Sequence, residues 1–263
     1  MPIRVWAGRE LSFFHAVDSM VHPEFRTGLR KRGLFLEVAE RFFEEFGGKV
    51  DDLGFGYPVR PAWRIGERFL GYRLIRSLDY LLRPVGEPVD VPVGIEVNEV
   101  ERFSPALDAF ELGLRDRFAC MTIKDRRYLD WRYADCPGHE YRVLEAWDGE
   151  RYRGFVVLRL EGGLVPGSAM IGDFLVAPDD RHALQGLVAA AGRLARGGGC
   201  SQLLTVQNPS LPLFGVWTDL GFRAEPSANW LERKLGSRDW TSGLDQEWLG
   251  GHWQYCLGDS DLF

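Results

Sequence analysis

The sequence predicts an α/β fold built from two related units. Three observations carry that expectation. Residues Asp18 to Arg26 read Asp-Ser-Met-Val-His-Pro-Glu-Phe-Arg, and residues Asp173 to Arg181 read Asp-Phe-Leu-Val-Ala-Pro-Asp-Asp-Arg, with Asp, Val, Pro and Arg in register. Each copy follows a β-prone run and precedes a run of helical periodicity. Roughly fifty residues further on, each is followed by Leu-Gly-aromatic: Leu70-Gly71-Tyr72 and Leu220-Gly221-Phe222. Two matches at nearly one offset identify a duplicated unit, which sets how the chain is divided before any single element is assigned.

The elements follow in order. Ile3–Trp6 and Glu10–Met20 are β-prone runs around the turn Ala7-Gly8-Arg9, the pattern of a hairpin. His22-Pro23 ends the second run, because proline cannot donate to a ladder. A basic segment, Arg26 to Arg32, leads to a helix that starts near Gly33. Leu34, Phe35, Val38, Ala39, Phe42 and Phe46 share one face of it, and Glu37, Glu40, Arg41, Glu44 and Glu45 the other. Gly47-Gly48 stops this helix. Asp52–Tyr57 is a strand closed by Pro58, Pro61–Phe69 a second helix ended by Gly71, and Tyr72–Leu82 a strand. Residues 84–102, with Pro84, Gly86, Pro88, Pro92 and Gly94, have the composition of a linker.

The second unit is longer. Arg115–Phe118 and Arg126–Tyr133 have helical character, and Tyr141–Trp147, Arg153–Leu160 and Ala169–Val176 that of strands, with turns at Asp148-Gly149 and Gly162-Gly163. His182–Arg196 is a helix with Leu184, Leu187, Val188, Ala191 and Leu194 on one face, stopped by Gly197-Gly198-Gly199. Ser201–Gln207 is a strand, Leu211–Leu220 a short helix, and Arg223–Leu235 supplies the closing strands. A tail with Trp240, Trp248 and Trp253 follows, the kind of aromatic segment that packs over a groove or an interface. The expected division is therefore a first unit over 1–83, a linker over 84–102, a second unit over 103–238 and a Trp-rich tail over 239–263.

Composition bounds the function. The chain has 263 residues, 45% hydrophobic and 13% aromatic, enough for a substantial core. A formal charge of −6 argues against nucleic-acid binding, which needs a basic surface. The cysteines Cys120, Cys136, Cys200 and Cys256 form no CxxC pair, so neither a zinc site nor a disulfide framework is expected. The first residues lack the apolar core of a signal peptide, and no run approaches the ~20 apolar residues that span a bilayer. The expectation is a cytoplasmic protein with no membrane partner and no metal.

The order strand, loop, helix, strand, helix, Leu-Gly-aromatic, strand resembles that of the Gcn5-related N-acetyltransferases (GNAT), over most of both copies. The resemblance implies tandem acyl-CoA N-acyltransferase folds, with mixed central sheets flanked by helices. It also implies acetyl-CoA, or another acyl-CoA, as co-substrate. The family's Arg/Gln-x-x-Gly-x-Gly/Ala loop lends its backbone N–H groups, at a helix N-terminus, to the CoA pyrophosphate. Arg30-Lys31-Arg32-Gly33-Leu34-Phe35 fits the first four positions, with Phe35 in place of the last small residue. Arg26 and Gly28 offer a looser start to the same loop. The expected cofactor-binding residues are Met20, Val21, Arg26, Gly28, Arg30, Lys31, Arg32, Gly33 and Leu34. The second copy has His182-Ala183-Leu184-Gln185-Gly186 there and no such cradle.

The family uses an acid residue as base and a tyrosine, five residues before the aromatic of Leu-Gly-aromatic, as acid. Those latter positions hold Glu67 and Trp217, so both copies depart from the pattern. The catalytic candidates are Asp18, Glu67 and Tyr72; Tyr57 and Tyr72 are alternatives near the acid position in sequence only. The bland alternatives are a loop-capping role for Asp18 and Asp173, a solvated turn for His22, solvent-facing Glu96, Glu99 and Glu101, a flexible acidic end at Asp259, Ser260 and Asp261, and core packing for Tyr128, Trp131, Arg132 and Tyr133.

Only 17 residues precede Asp18, whereas the second unit carries about 70 before Asp173, so the first copy lacks its early strands and helices. Either the chain starts late or the second unit supplies that wall. An exposed strand edge there would favour a homodimer. The functional expectation is transfer of an acetyl or acyl group to a small-molecule or peptide amine. The alternative is an inactive GNAT-like module that binds a ligand or partner.

Overall fold

The computed structural model describes residues 2–5, 9–17, 21–25 and 33–263. The first half contributes β1 (Pro2–Val5), β2 (Arg9–His15), α1 (Leu34–Phe46), β3 (Leu53–Gly56), α2 (Arg60–Phe69), β4 (Arg73–Ser77) and β5 (Asp79–Pro84). The second begins with β6 (Glu96–Val100), α3 (Ala106–Leu114), β7 (Cys120–Thr122) and α4 (Arg126–Leu129), which runs into a π-helical turn at Asp130–Ala134. It continues with β8 (Arg142–Asp148), β9 (Arg151–Arg159), β10 (Ser168–Val176), α5 (Arg181–Gly197), β11 (Gln202–Thr205), α6 (Pro212–Asp219), β12 (Arg223–Pro226), β13 (Lys234–Asp239), α7 (Gln246–His252) and β14 (Trp253–Gln254).

Local chemistry accounts for the main elements. In β2, alternation puts Phe13 and His15 on one face and Phe14 on the other, where its ring lies 4.7 Å from that of Phe42 on α1. Helix α2 opens with proline in its first turn and buries Trp63 and Gly66, one helical turn apart. Helix α5 is capped by Asp180, whose side chain accepts from the Ala183 N–H, and buries Leu184, Leu187, Val188 and Ala191 against the second sheet. Each leucine so buried stabilises the fold by about 1.5–3 kcal/mol. Gly186 is a packing glycine, since a Cβ there would sit 2.7 Å from Ile95 Cγ2.

Among the described residues the strands form two seven-stranded mixed sheets. The first runs β14-β7-β1-β2-β3-β13-β4 and the second β12-β5-β11-β10-β9-β8-β6. The repeat seen in sequence is also a repeat of pairing. Phe13, Phe14 and His15 of β2 pair in parallel with Leu53, Gly54 and Phe55 of β3, and Ser168, Ala169 and Met170 of β10 pair in parallel with Gln202, Leu203 and Leu204 of β11.

The two halves exchange a strand. The run expected as one strand from Tyr72 to Leu82 is two: β4 stays in the first sheet, and β5 crosses to the second, antiparallel between β11 and β12. Likewise, the closing run splits into β12 in the second sheet and β13, which inserts antiparallel between β3 and β4 of the first. At the crossing, the Leu78 N–H donates to the Arg233 carbonyl and the Ser227 N–H to the Leu78 carbonyl. The sheets therefore do not follow the expected boundary after residue 83.

The second half also completes the first sheet at its other side. β7 pairs antiparallel with the outer edge of β1, and β14 pairs parallel with β7. The edge of β1 that was expected to favour a dimer is occupied within the chain. Part of the expected linker is also a strand, because β6 pairs along β8 from Glu96↔Trp147 to Val100↔Val143. The helix expected at Arg115–Phe118 lies earlier, as α3, with Leu107, Glu111 and Leu114 buried. Trp253–Leu257 is a strand for only two residues, followed by a 3-10 turn at Leu257–Asp259. Trp253 is fully buried, edge-on to Phe13 and Phe55 at centroid distances of 5.6 and 5.1 Å.

Candidate active site

In the first half, the parallel strands β2 and β3 stay linked as far as the Ala16 N–H, which donates to the Phe55 carbonyl at 2.9 Å. Beyond that link lies a cleft of about 190 Å³. Ala16 and Val17 line it from β2, and Gly56, Tyr57, Pro58 and Val59 from the end of β3. Phe35 on the first turn of α1, Ala62, Gly66 and Leu70 around α2, and Tyr72 complete the apolar wall. The Tyr72 ring lies against Gly66, where a Cβ would overlap it, so only glycine lets the two approach. Two charged residues from the second half, Arg233 and Asp261, reach the same cleft.

His15 and Tyr57 give this region its acid–base character. His15 stacks on Phe55 at 4.8 Å and meets the Tyr57 ring edge-on at 6.0 Å. His15 Nε2 and Tyr57 Oη are buried, and neither has a hydrogen-bond partner among the described residues. Buried polar atoms are nearly always paired, so these two neighbours hold hydrogen-bonding capacity that the described residues do not use. Asp261 Oδ1 stands 3.9 Å from His15 Nε2. Burial lowers the His15 pKa to about 4, against the pull of Asp261, which leaves a neutral imidazole at neutral pH. Burial, reinforced by Asp259, Cys256, Tyr255 and Asp261, holds the Tyr57 phenol well above its usual range, so it keeps its proton.

Of the residues singled out from sequence, Tyr72 lies on the cleft wall, half-buried, with its pKa raised by burial against the opposing charge of Arg238. Gly33 is the N-cap of α1, and Leu34, 45% exposed, is its first residue. Val21 is half-buried outside the strands. Glu67 is exposed on α2 and is not among the cleft residues. Asp18, Met20, Arg26, Gly28, Arg30, Lys31 and Arg32 lie outside the described residues. His15, Arg233 and the placement of Asp261 were missed. Only His15 carried a signal, as a titratable side chain two residues after Phe13, on the face of β2 that Phe13 buries.

The equivalent place in the second half is filled. β10 shifts register between Ile171 and Asp173, a bulge at Gly172, and its pairing with β11 stops at Met170↔Leu204. The Phe263 ring occupies the space over Gly172, where a Cβ would overlap it. Beside it lies a fully buried polar cluster. Lys124 Nζ donates to Asp173 Oδ1 at 2.5 Å and to the Phe174 carbonyl at 3.1 Å, and the Tyr133 hydroxyl donates to Asp173 Oδ2 at 2.7 Å. Asp259 accepts from the Thr122 hydroxyl at 2.7 Å and from the Cys256 N–H at 2.9 Å. Asp173 is thus an ion-paired strand residue and not a loop cap. Asp259 and Ser260, 2% and 4% exposed, are packed and not a flexible end. Burial raises the Cys256 pKa well above its usual range and keeps it a thiol. Trp217 is buried edge-on against Phe174 and Phe222.

A larger cavity, about 590 Å³, lies between α3, the β8–β9 hairpin and the start of α5. Its size does not make it the better candidate, because most of its cations already have partners. Arg117 pairs with Asp179 at 3.0 Å, Arg153 with Asp180 at 2.7 Å and Arg181 with Asp219 at 2.7 Å. The Asp180 carboxylate also caps α5, so the helix terminus facing the cavity already holds a negative group.

The chain is similar to several solved structures. One is a conserved protein of Enterococcus faecalis described as a probable N-acyltransferase, with TM-score 0.59 and 13% identity over 95% of this chain and 59% of that one. Another is a GCN5-related N-acetyltransferase from Anabaena variabilis, with TM-score 0.63 and 10% identity over 91% of this chain and 58% of that one. A third is a tandem GNAT protein from the clavulanic acid biosynthesis pathway, with TM-score 0.55 and 16% identity over 90% of this chain and 82% of that one. The chain spans less than two thirds of the length of the first two. No family model matches the sequence, and no curated protein matches it. At these identities the likeness establishes the fold: two GNAT-like α/β units in tandem, as the order of elements predicts.

Proposed function

We propose that the chain is an acyl-CoA-dependent N-acyltransferase that works in the cleft of its first half. The observation that carries this reading is the pair of unpartnered groups, a neutral imidazole and a protonated phenol, buried together where β2 and β3 meet the cleft. The fold it shares with N-acetyltransferases supports the same assignment. In this reading the acyl thioester enters between β2 and β3 along the apolar wall of Phe35, Leu70 and Tyr72. The CoA pyrophosphate is assigned to the basic segment Arg26–Gly33, next to the α1 N-terminus, whose first N–H groups have no side-chain cap.

The reaction is direct attack. The acceptor nitrogen adds to the thioester carbonyl, and His15 Nε2 takes the proton released from nitrogen as the C–N bond forms. The C–S bond then breaks, Tyr57 Oη supplies a proton to the departing CoA thiolate, and the proton held by the His15 imidazolium passes to the phenolate, which restores both groups. His15 and Tyr57 replace Glu67 in the acid–base roles expected from sequence, and the remaining rate enhancement comes from positioning. The second half is read as a scaffold, favoured by the Phe263 ring over Gly172 and the buried ion-paired cluster in the place where the first half has its cleft.

Calorimetric titration with acetyl-CoA and with CoA tests the assignment. One micromolar site, weakened by the double substitution Arg30→Ala and Arg32→Ala, is expected. A folded sample that binds neither ligand would remove the acyltransferase reading.

A further inference from the structure

From Trp253 to Phe263 every residue is buried except one. That residue is Asp261, whose side chain is 42% exposed and lines the cleft of the opposite half. The segment around it is held firmly. Arg132 donates to the Ser260 carbonyl at 3.2 Å and to the Phe263 carbonyl at 2.7 Å. Arg159 donates to the Leu262 carbonyl at 3.3 Å, and the Ser260 hydroxyl accepts from the Leu262 N–H at 3.1 Å. These contacts present a single carboxylate on a rigid support.

Among the described residues that carboxylate has no charged cation within ion-pair distance. It accepts no hydrogen bond there, and the basic atom described within 4 Å of it is His15 Nε2, at 3.9 Å, on a ring that burial keeps uncharged. Arg233, the other charged residue of the cleft, donates to the Tyr57 carbonyl at 3.3 Å and forms no ion pair with Asp261. Arg132 is engaged with main-chain carbonyls. An unpaired carboxylate in a mostly apolar cleft, one contact away from an unpartnered imidazole, is complementary to an ammonium group.

We propose that Asp261 anchors the ammonium form of the acceptor amine, carried on a compact, largely apolar body. The ammonium passes one proton to solvent before it attacks, and His15 Nε2 takes the second as the C–N bond forms. This rests on the reading of the cleft as an acyl-transfer site and narrows its substrate class. It also makes the site composite, since the first half supplies His15 and Tyr57 and the second half supplies the anchor.

The test is equilibrium binding of benzylamine and tryptamine to the full chain, with benzyl alcohol as the uncharged control, with and without CoA. The wild-type protein is expected to bind at least one amine and not the alcohol. Asp261→Asn is expected to weaken that binding by about tenfold or more, and Asp261→Glu to restore most of it. Because Asp261 is exposed and bonded to nothing in the core, both variants are expected to keep the wild-type melting temperature. In turnover, the Asn variant is expected to raise the amine KM more than it lowers kcat. Absence of amine binding by the wild type, or amine binding unchanged in the Asn variant, overturns the proposal. Acetyl-CoA titration of the same samples reads the acyl-CoA assignment separately, and all three proteins are expected to give the same value.

Discussion

Lys124 Nζ lies 2.5 Å from Asp173 Oδ1, and both side chains are 1% exposed. Burial alone would lower the Lys124 pKa, but the charge of Asp173, with Asp259 behind it, raises it, so the ammonium is firmly held. The pair joins the residues after β7 to the bulged strand β10. Removal of one partner leaves an uncompensated buried charge. Lys124→Met is expected to destabilise the chain by about 3–5 kcal/mol in chemical denaturation. Adding Asp173→Leu to that variant is expected to recover a large part of the loss. A single variant as stable as wild type would show that the cluster is not ionised as described.

His15 predicts a pH dependence of stability. Its pKa is lowered from 6.5 to about 4 in the folded chain, mainly by burial. Between those values the unfolded chain binds more protons than the folded one, so stability rises with pH. The contribution is present in full above 6.5 and is lost as pH falls towards 4. Its size is about 3 kcal/mol. Denaturation curves for His15→Gln should show a correspondingly smaller loss over that interval. Identical pH profiles for the two proteins would contradict the burial of a neutral imidazole.

Tyr57→Phe removes the phenolic proton and keeps the ring against His15 and Phe55. Under the acyl-transfer reading, kcat should fall by about a hundredfold. Acetyl-CoA affinity should not change. A Phe variant with wild-type kcat would take Tyr57 out of the reaction.

Gly172→Val tests the closure of the second half. Its side chain would enter the space of the Phe263 ring, and overpacking of this kind costs about 1–3 kcal/mol. Limited proteolysis should also cut around Phe263 faster in the variant than in the wild type. Equal digestion rates would show that Phe263 does not depend on that contact.

The repeat was readable because the runs that lead into its two copies, β2 and β10, also repeat their parallel pairing, with β3 and β11. The exchange of strands was not. Ser77-Leu78-Asp79 contains no glycine or proline, so Tyr72–Leu82 reads as one strand. The break is made by Arg233 and Ser227, which bind the Leu78 main chain from a distant segment. Helix α3 had its signal in Leu107, Phe110 and Leu114, but Glu111 interrupts the apolar stripe. That glutamate is buried because it pairs with Arg4 at 2.6 Å on β1, and nothing near Glu111 in sequence announces this partner. The cleft was half legible for the same reason. Tyr72 and the helix after Gly33 follow from local pattern, whereas His15 and Asp261 stand near opposite ends of the chain and no spacing rule joins them.

The crossing of β5 and β13 makes each half hold a rung of the other's ladder. A single unit with this connectivity could fill both slots only by trading strands with a second copy, so the chain has the form of a swapped pair made covalent. Val93, fully solvent-exposed in the segment between β5 and β6, offers a place to sever that covalent link. The two fragments should remain together through gel filtration and melt in one transition, because neither can leave without stripping an internal strand, paired on both sides, from its neighbour's sheet.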